Sequence, residues 1–589
     1  MNWQAWLTLF VLAVMVYVLA RDLVAPSVGV IGAVVVLLVA GVIGPGEAFS
    51  GFSNPAPITV AALYVVARAV EKTGALQPIV SWVLGEGTSL RGSLARLLVP
   101  SAGASAFLNN TPIVAMLVPQ LTDWADRHGR SVSYFLMPLS FVAMLGGLVT
   151  LIGTSTNLVV SGLLEANGYA PLGMFELSPV GLPLAAVGIL VIIVLAPIVL
   201  PERRAPRRAL KEGVREFVVG MEVVSGGPLD GKAVGEGNLR NLQGVFLVEI
   251  ERDGEVIAPV APETVLHGGD RLTFVGQADT VVDLQAMRGL SSREQEHVRR
   301  FDTHRHTFFE AVIGAASPLV GKTLKDVGFR GRYQAAVVAI HRAGQRVEAK
   351  LGSVQLKAGD TLLLLSDPGF RDRWRDRTPF LLVSRLGGVP PPVSRKAWLV
   401  GLILAGVVGS AGLGVMPILN AALLSVLALV LLGIVTPGEA RNAVDLDVIL
   451  VIAGAFGLAT ALDGSGLAER GAGLLVGAFG GMGATGGLLG IVLATVALGC
   501  IITNNAAVAL MFPIAISTAA QLGADHRPFA IGVAVAASAS FLTPIAYQTN
   551  VMVYGPGGYR FGDYARLGAV LVVLVVVVAV LVIPMVWRY

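Results

Sequence analysis

The chain is poor in charged residues and almost without cysteine. Only 14% of its 589 residues are charged, whereas a soluble globular domain carries about 25%. Hydrophobic residues make up 54%, and the mean hydropathy is +0.74. The single cysteine, Cys500, excludes an internal disulfide and a cysteine-rich metal site. The net charge of +4 comes without a basic stripe, which argues against a nucleic-acid partner. The composition predicts a polytopic α-helical membrane protein.

The charged residues are concentrated in one segment. Residues 201–394 hold 28 of the 43 Lys and Arg and 24 of the 39 Asp and Glu. This distribution predicts a soluble insert between two membrane regions, and the insert itself divides into two parts. The predicted domains are membrane repeat 1 (1–200), two soluble domains (201–300 and 301–394, with the linker), and membrane repeat 2 (395–589).

Each membrane region offers five apolar segments that could span a bilayer, for which about 20 helical residues are needed. They are 4–20, 27–43, 56–73, 133–165 and 178–200 in the first half, and 397–412, 417–435, 446–463, 527–554 and 564–587 in the second. Polar residues interrupt two further segments, 94–122 and 485–521. These are predicted to be re-entrant hairpins, because irregular backbone at membrane depth must be buried in protein or line a cavity.

Basic residues in the short loops predict the orientation. They fall on one side under a ten-span count, which places both termini outside and residues 201–394 in the cytoplasm, in the cell inner (plasma) membrane. Arg470 and Arg527 lie on the opposite side. The first twenty residues lack a basic n-region and a cleavage site, so they are predicted to be a retained span.

The two membrane regions repeat one another. PGEA occurs at 45–48 and 437–440, NNTPIVAMLVP at 109–119 is echoed by TNNAAVALMFP at 503–513, and LIGTSTNLV at 151–159 by PIAYQTNVM at 544–552. The offsets stay between 392 and 394. Two copies of a five-span unit must insert in opposite directions. The arrangement is typical of secondary transporters, which bind substrate at broken helices near the membrane midplane.

Four polar clusters carry the predicted chemistry. Two lie at the hairpin tips, 109–111 and 503–505, and two interrupt the following spans, at 153–157 and 546–550. Amide and hydroxyl oxygens suit Na⁺, whereas NH₂ groups and helix N-termini attract an anion. Hydrogen bonding between helices is the alternative role for such residues, but duplication in register favours a site. The candidate substrate-binding residues are Asn110, Thr111, Thr154, Asn157, Asn504, Asn505, Gln548, Thr549 and Asn550.

These motifs resemble those of the divalent-anion/sodium symporter (DASS) family. The hairpin tips are similar to its duplicated Ser-Asn-Thr motifs, and the second clusters to its Thr-Pro-Pro-Asn turns. The resemblance covers both membrane halves. It implies a homodimer of elevator type with scaffold and transport domains, in which Na⁺ drives import of a divalent anion. It implies no organic cofactor. The sodium ligands that it implies are Ser105, Asn109, Asn110 and Gly153 for one ion, and Thr503, Asn504 and Ala546 for another.

The chain departs from the DASS pattern at several positions. Asn109 and Thr503 replace the serines, Asn505 replaces a threonine, and neither Pro-Pro pair is present. More amides and fewer prolines favour a compact oxyanion, so sulfate is the predicted substrate. A C4-dicarboxylate such as succinate or malate, or citrate, is the alternative.

The soluble insert contains a second repeat. PLDGKAV at 228–234 returns as PLVGKTL at 318–324, and GGDRLTFVG at 268–276 as AGDTLLLLS at 358–366. These segments resemble TrkA-C (RCK-C) domains, which implies an α+β fold, subunit pairing and a small regulatory ligand on residues 215–377. A folding or dimerisation module that binds nothing is the alternative. His304 and His306 have the spacing of metal ligands but are better explained as part of a polar linker.

Three other classes of protein compete with a symporter. A channel needs a pore lined by repeated carbonyl or charged rings, and the sequence shows no such filter motif. A nutrient sensor would bind the anion without moving it. An enzyme is not expected, because no set of nucleophile, base and orienting residue is apparent.

Overall fold

The structure is a computed structural model. It describes residues 3–21, 23–76, 89–202, 218–237, 239, 245–253, 255–257, 260–276, 287, 289–292, 307–314, 317–342, 345–347, 351–367, 369–374, 379–385, 393–544 and 546–589. His304, His306 and residues 386–392, which belong to the predicted linker before membrane repeat 2, lie outside these residues. The chain forms two compact units, one of Met1–Glu202, Val389–Tyr554 and Tyr559–Tyr589, the other of Arg203–Gly388 and Gly555–Gly558.

The described part of the first half of the larger unit is helical. Its helices are α1 (Trp3–Ala20), α2 (Pro26–Val39), α3 (Pro45–Ala48), α4 (Pro55–Thr73), α5 (Leu90–Phe107), α6 (Asn110–Arg127), α7 (Ser133–Gly147), α8 (Ser155–Ala166) and α9 (Ser178–Val199). Helices α5 and α6 form the predicted hairpin, with Leu108 and Asn109 at its tip. The predicted span 133–165 is broken between α7 and α8, where the polar cluster lies.

The second half, after the soluble insert, repeats this order. Its helices are α12 (Ala397–Gly412), α13 (Ile418–Leu431), α14 (Pro437–Ala443), α15 (Leu446–Gly464), α16 (Leu467–Phe479), α17 (Gly483–Gly499), α18 (Asn504–Gln521), α19 (His526–Ala537), α20 (Gln548–Tyr554) and α21 (Phe561–Val586). Helices α17 and α18 form the second hairpin, and the second break lies between α19 and α20. Helix α16 was not among the predicted elements.

Several helices are long and apolar enough to cross a membrane. Within the described residues five segments qualify by length and hydropathy: Trp3–Ala20, Ser178–Val199, Leu446–Gly464, Leu467–Gly499 and Phe561–Val586. Shorter apolar helices accompany them, among them Pro26–Val39 and Ile418–Leu431. The broken spans fall below the length of a full crossing because each is divided into two short helices.

The PGEA repeats form short helices closed by capping boxes. Glu47 accepts a hydrogen bond from the backbone N–H of Gly44 at 2.8 Å, and Glu439 accepts one from that of Thr436 at 2.8 Å. Glu439 also pairs with Lys72 at 2.7 Å and so joins the two halves. Burial alone would raise the pKa of Glu439, but the hydrogen bonds from Lys72 and Thr436 outweigh it and lower the pKa to about 2.

A second ion pair joins the halves at Arg527, one of the two basic residues on the unexpected side. Its guanidinium reaches Glu176 at 2.6 Å and donates to the carbonyl oxygens of Ala170 at 2.6 Å and Pro171 at 3.0 Å. Because the paired carboxylate neutralises this arginine, Arg527 is weaker evidence against the predicted orientation. Burial alone would raise the pKa of Glu176, but hydrogen bonds from Arg527 and from the Gly173 N–H lower it.

The smaller unit contains two five-stranded antiparallel sheets with the same strand order. The strands of the first sheet are β1 (Val218–Val223), β2 (Val245–Arg252), β3 (Glu255–Ile257), β4 (Arg271–Gly276) and β5 (Leu290–Ser292), in the order β3-β2-β4-β1-β5. Those of the second are β6 (Thr307–Val312), β7 (Ala335–Arg342), β8 (Gln345–Arg346), β9 (Thr361–Ser366) and β10 (Leu382–Arg385), in the order β10-β6-β9-β7-β8. The short helices α10 (Phe329–Tyr333) and α11 (Phe370–Trp374) accompany the second sheet.

Equivalent ion pairs lie 90 residues apart in the two sheets. Arg252 bonds Asp270 at 2.7 Å, and Arg342 bonds Asp360 at 2.7 Å. The strand register also shifts at equivalent places, between Leu247 and Glu249 and between Val337 and Ala339. The repeat read in the soluble insert therefore corresponds to a repeated sheet.

The last helix of each membrane repeat packs closely on the break in the preceding span. A Cβ at Gly181 in α9 would lie 2.4 Å from the carbonyl oxygen of Leu148, and one at Gly568 in α21 would lie 2.2 Å from that of Phe541. Leu148 and Phe541 occupy equivalent positions in the two breaks, 393 residues apart. Glycine is therefore required at both contacts by the close approach of backbone to helix.

We expect Gly568→Ala to destabilise the protein, because the contacting atom belongs to backbone and cannot move aside cheaply. Overpacking of this kind costs about 1–3 kcal/mol. The measurement is thermal unfolding of the purified protein in detergent. Gly562→Ala in the same helix is the control, since nothing lies within 4 Å of its added Cβ. Equal melting temperatures for the two variants would contradict this packing.

Candidate substrate and ion site

Two asparagines hold the broken backbone in the two repeats. The side-chain amide of Asn157 donates to the carbonyl oxygens of Gly147 at 3.2 Å and Thr150 at 2.9 Å. The amide of Asn550 donates to those of Ser540 at 2.9 Å and Thr543 at 3.2 Å. Each acceptor and donor in one repeat lies 393 residues from its counterpart. Both side chains are fully buried and bond to backbone, a bracing role that sequence reasoning missed; contact with substrate stays a prediction for them.

The tip asparagines are held by serines from different places in the two repeats. Ser105 Oγ lies 2.6 Å from Asn110 Oδ1, and Ser540 Oγ lies 2.6 Å from Asn504 Oδ1. Ser105 is in the hairpin helix α5, whereas Ser540 is in the break after α19. The position equivalent to each serine is a glycine in the other repeat, Gly499 or Gly147. The serine and the glycine have exchanged places between the two copies.

Three oxygens surround one end of the Asn110 amide at the tip of the first hairpin. The end turned away from Tyr547 lies 2.6 Å from Ser105 Oγ, 2.9 Å from the carbonyl oxygen of Ala143 and 3.2 Å from that of Gly153. In the orientation that places Asn110 Oδ1 at this end, the four oxygens form one cluster. Apart from the Gly147 N–H, which bonds to Ala143 within α7, only the Ser105 hydroxyl among the described residues donates to this group, and Asn110 and Ser105 are buried. Uncharged oxygens with few donors are ligands that suit a hard cation such as Na⁺.

Three of the four residues predicted for this cation take part in the cluster: Ser105, Asn110 and Gly153. Asn109, the fourth, lies outside it, and its amide interacts with Tyr64 in α4. Ala143 was missed, because a backbone carbonyl leaves no mark in the sequence. A Cβ at Gly153 would lie 2.8 Å from the Ser105 carbonyl oxygen, which explains the glycine there.

The second hairpin tip has a simpler arrangement. Asn504 is buried and bonds to Ser540, whose hydroxyl also lies 3.3 Å from the Gly499 carbonyl oxygen. Thr503 Oγ1 is buried, and no hydrogen-bond partner for it lies among the described residues. Ala546 is also buried. The structure does not show Thr503, Asn504 and Ala546 in a shared contact, so their role as a second sodium site stays a prediction.

The tip of each hairpin contacts the break of the opposite repeat. Thr111 donates to Gln548 Oε1 at 3.2 Å, and Ser155 donates to Asn505 Oδ1 at 3.3 Å. Thr111 is equivalent to Asn505, and Ser155 to Gln548, so the two contacts are related by the repeat. A third contact, 2.8 Å between Asn110 Nδ2 and the Tyr547 hydroxyl, has no such partner.

Four helices begin at this pocket. Helices α6, α8, α18 and α20 start at Asn110, Ser155, Asn504 and Gln548, which the contacts above bring together. A helix N-terminus carries unpaired N–H groups and a partial positive charge, equivalent to roughly half an elementary charge. The convergence can therefore attract an anion although the four polar clusters contain neither Lys nor Arg.

The remaining residues lie at the edge of this pocket or behind it. Thr154 precedes α8 and interacts with the Tyr547 hydroxyl. Thr549 is buried and shares a hydrogen bond of 2.8 Å with Ser140. Asp445, which caps α15, interacts with Gln548 and brings a carboxylate to the pocket edge. Sequence reasoning missed Asp445, which only the fold brings here.

Comparison with known proteins identifies the family. The family profile described as "Citrate transporter" matches residues 8–525 and 481–589, together nearly the whole chain. The chain belongs to this citrate transporter family. The transporter is therefore a multi-pass helical membrane protein of the ion transporter superfamily.

Curated relatives cover the full length of the transporter. It is 36% identical over 566 residues to an uncharacterized transporter of Synechocystis, with 94% of this chain and 92% of that one covered. It is 34% identical over 561 residues to a putative sulfur deprivation response regulator of Chlamydomonas reinhardtii, with coverage of 93% and 96%. It is 26% identical to sodium/sulfate cotransporter 1 of the same alga, with coverage of 98% and 89%.

The exchanged serine and glycine give a prediction for the first oxygen cluster. A Cβ at Gly147 would lie 2.7 Å from Asn110 Oδ1 while Ser105 holds that oxygen from the other side. We expect Gly147→Ser alone to lower the affinity for sodium at least about tenfold, which corresponds to about 1.4 kcal/mol. Adding Ser105→Gly reproduces the arrangement of the second repeat and should recover much of the loss. The readout is binding of ²²Na⁺ to the purified transporter.

The double variant is the matched control, because it differs from the single one only by removing a hydroxymethyl group. Neighbouring residues that share a partner give non-additive effects of about 0.5–3 kcal/mol. If the double variant binds sodium no better than Gly147→Ser, the two positions do not act on one amide.

Proposed function

We propose that the transporter is a sodium-coupled symporter that imports a divalent oxyanion, with sulfate as the first candidate. The proposal includes an elevator movement, a homodimer and regulation through the cytoplasmic domains at residues 215–377. Its support comes from the oxygen cluster, from the pocket of helix N-termini and from the names of the relatives.

The observation that carries the proposal is the position of Asn110. One end of its amide lies among Ser105 Oγ and the carbonyl oxygens of Ala143 and Gly153, and the other end lies 2.8 Å from the Tyr547 hydroxyl at the pocket. One amide group therefore contacts both the place suited to a cation and the place suited to an anion. Binding of either ion changes the field and the hydrogen bonds that the other one meets, which is the physical requirement for coupling.

The charge balance favours joint binding. A fixed Lys or Arg at the bilayer centre costs about 2.5 to 3.5 kcal/mol on insertion scales. The four clusters avoid this cost, since they contain only neutral residues. The anion is then held by N–H and O–H donors, and its charge is offset by sodium on the other side of Asn110.

The direct contacts between tip and break favour a compact anion. Thr111 with Gln548 on one side, and Ser155 with Asn505 on the other, form direct contacts of 3.2 and 3.3 Å between tip and break. A tetrahedral oxyanion can receive donors from several directions in such a space. The sodium/sulfate cotransporters among the relatives agree with this choice, by name.

Citrate or a C4-dicarboxylate is the second candidate. The description of the matching family supports it directly. A longer substrate requires the Thr111–Gln548 or the Ser155–Asn505 contact to open. The name of the Chlamydomonas response regulator favours a third role, that of a sensor which binds an anion without transporting it.

The test is uptake into proteoliposomes. Labelled sulfate, citrate and succinate are supplied separately, with an inward sodium gradient, with potassium in place of sodium, and with a proton gradient alone. We expect saturable sulfate uptake that requires sodium. Sodium-dependent uptake of citrate but not sulfate would reassign the substrate, and uptake driven by protons alone would point to Asp445 instead of the oxygen cluster. Binding without uptake would identify a sensor.

We expect Asn110→Ala and Asn504→Ala each to reduce sodium-driven uptake at least about a hundredfold. Each removes a donor to the anion and, at Asn110, a ligand to the cation, and buried hydrogen bonds to charged groups are worth about 1.5–3 kcal/mol each. Asn167→Ala is the control, because Asn167 is exposed at the end of α8, and among the described residues its side chain donates to the Leu163 carbonyl oxygen, at 2.8 Å. Wild-type rates in either site variant, with protein correctly folded by gel filtration, would rule that asparagine out.

A further inference from the structure

The side-chain amide of Asn110 can satisfy its surroundings in two ways. In the first orientation its oxygen faces the three oxygens of Ser105, Ala143 and Gly153, and its nitrogen donates to the Tyr547 hydroxyl at 2.8 Å. Turned by half a rotation, its nitrogen donates to those three oxygens and its oxygen accepts from Tyr547. The same atom positions thus form a complete set of contacts either with a cation in the oxygen cluster or without one.

We propose that sodium binding turns the Asn110 amide and thereby changes the Asn110–Tyr547 pair from an acceptor into a donor for the anion. This inference rests on the proposed function and adds the step that links the two ions. It makes Tyr547, which has no chemical counterpart in the first repeat, a positioning residue for coupling.

Without sodium, the second orientation is favoured. Among the described residues only the Gly147 N–H, at Ala143, and the Ser105 hydroxyl then donate to the oxygen cluster, and buried oxygens short of donors are costly. The NH₂ group takes the place of the cation and supplies that missing donor. The Tyr547 hydroxyl donates its hydrogen to Asn110 Oδ1. The pair therefore presents oxygen lone pairs to the pocket, and these repel an anion.

With sodium, the first orientation is favoured. Asn110 Oδ1 becomes a ligand of the cation, and its NH₂ group turns towards the pocket. One of its hydrogens reaches the Tyr547 oxygen and the other faces the anion, while the Tyr547 hydrogen turns to Thr154, which also contacts this hydroxyl. The anion therefore meets an N–H donor where it met none.

The fold leaves space for this rotation in one repeat. A Cβ at Gly147 would lie 2.7 Å from Asn110 Oδ1 and 3.2 Å from Nδ2, so the glycine keeps clear the region through which both atoms turn. In the second repeat Ser540 stands at the equivalent position, and its hydroxyl holds Asn504 Oδ1 at 2.6 Å. Tyr547 is likewise replaced by Thr154 at the equivalent position. Rotation of the side-chain amide is therefore expected only at the tip of the first hairpin.

The test measures the linkage between the two ions, since each must change the affinity of the other by the same factor. Binding of ²²Na⁺ to the purified full-length transporter is measured with and without saturating sulfate, or citrate if citrate is the transported anion. We expect a coupling factor of at least about fivefold for the wild type, within the usual range of such factors. In Tyr547→Phe we expect it to fall to less than about twofold, while sodium binding without anion is retained.

Two further variants separate this mechanism from a loss of structure. Tyr559→Phe removes another buried hydroxyl, which accepts from the Met137 N–H at 2.8 Å, far from Asn110 in the chain. It should lower the melting temperature and leave the coupling factor unchanged. Asn110→Asp keeps an oxygen for sodium but presents oxygen to the pocket in both orientations. It should bind sodium alone and lose anion binding at every sodium concentration.

The outcomes distinguish this inference from the proposed function. Coupling in the wild type that persists in Tyr547→Phe, or in Asn110→Asp, would overturn the amide rotation and leave the symporter intact. Wild-type protein whose sodium affinity is changed by none of the anions would overturn the proposed function, and the inference with it.

Discussion

The structure depends on satisfying backbone groups where two spans are broken within the membrane. A carbonyl oxygen or N–H in that environment cannot rely on water, and each one left without a partner is costly. Asn157 and Asn550 meet this constraint by bonding to two carbonyl oxygens each. Because the breaks are held open in this way, α8 and α20 can begin in the interior. Their free N–H groups, together with those of α6 and α18, then line the pocket.

The repeat preserves this architecture while its chemistry differs between the copies. Both tips hold an asparagine next to a serine hydroxyl at 2.6 Å. In the first copy the serine comes from the hairpin and the glycine from the break, and in the second the order is reversed. The amide of Asn110 thereby faces a glycine on the side of the break, where that of Asn504 is held by a serine. Small exchanges of this kind let a symmetric scaffold present one adaptable and one fixed amide.

Much of the fold could be predicted because the repeat is visible in the sequence. Constant offsets of 392 to 394 placed the hairpins and the breaks, and the structure puts polar residues at each of them. The site was harder to predict for a physical reason. The cluster around Asn110 is completed by the Ala143 carbonyl, and any residue supplies such a group. The amides of Asn157 and Asn550 bond to backbone carbonyl oxygens as well. An asparagine in the sequence does not reveal whether it will bond to backbone or to a ligand. Helix α16 has no polar interruption to separate it from the following hairpin helix.

A site built from neutral groups also has a consequence for the return step of a carrier. In the proposed cycle the pocket must cross the membrane loaded and then return empty. A fixed arginine would bind the anion well but would return as an uncompensated charge, at the cost that insertion scales assign to it. Asparagine, threonine and helix N-termini leave the empty pocket neutral. The oxygens near Asn110 would then be short of donors in the empty site, and an amide that can turn supplies them from within the protein.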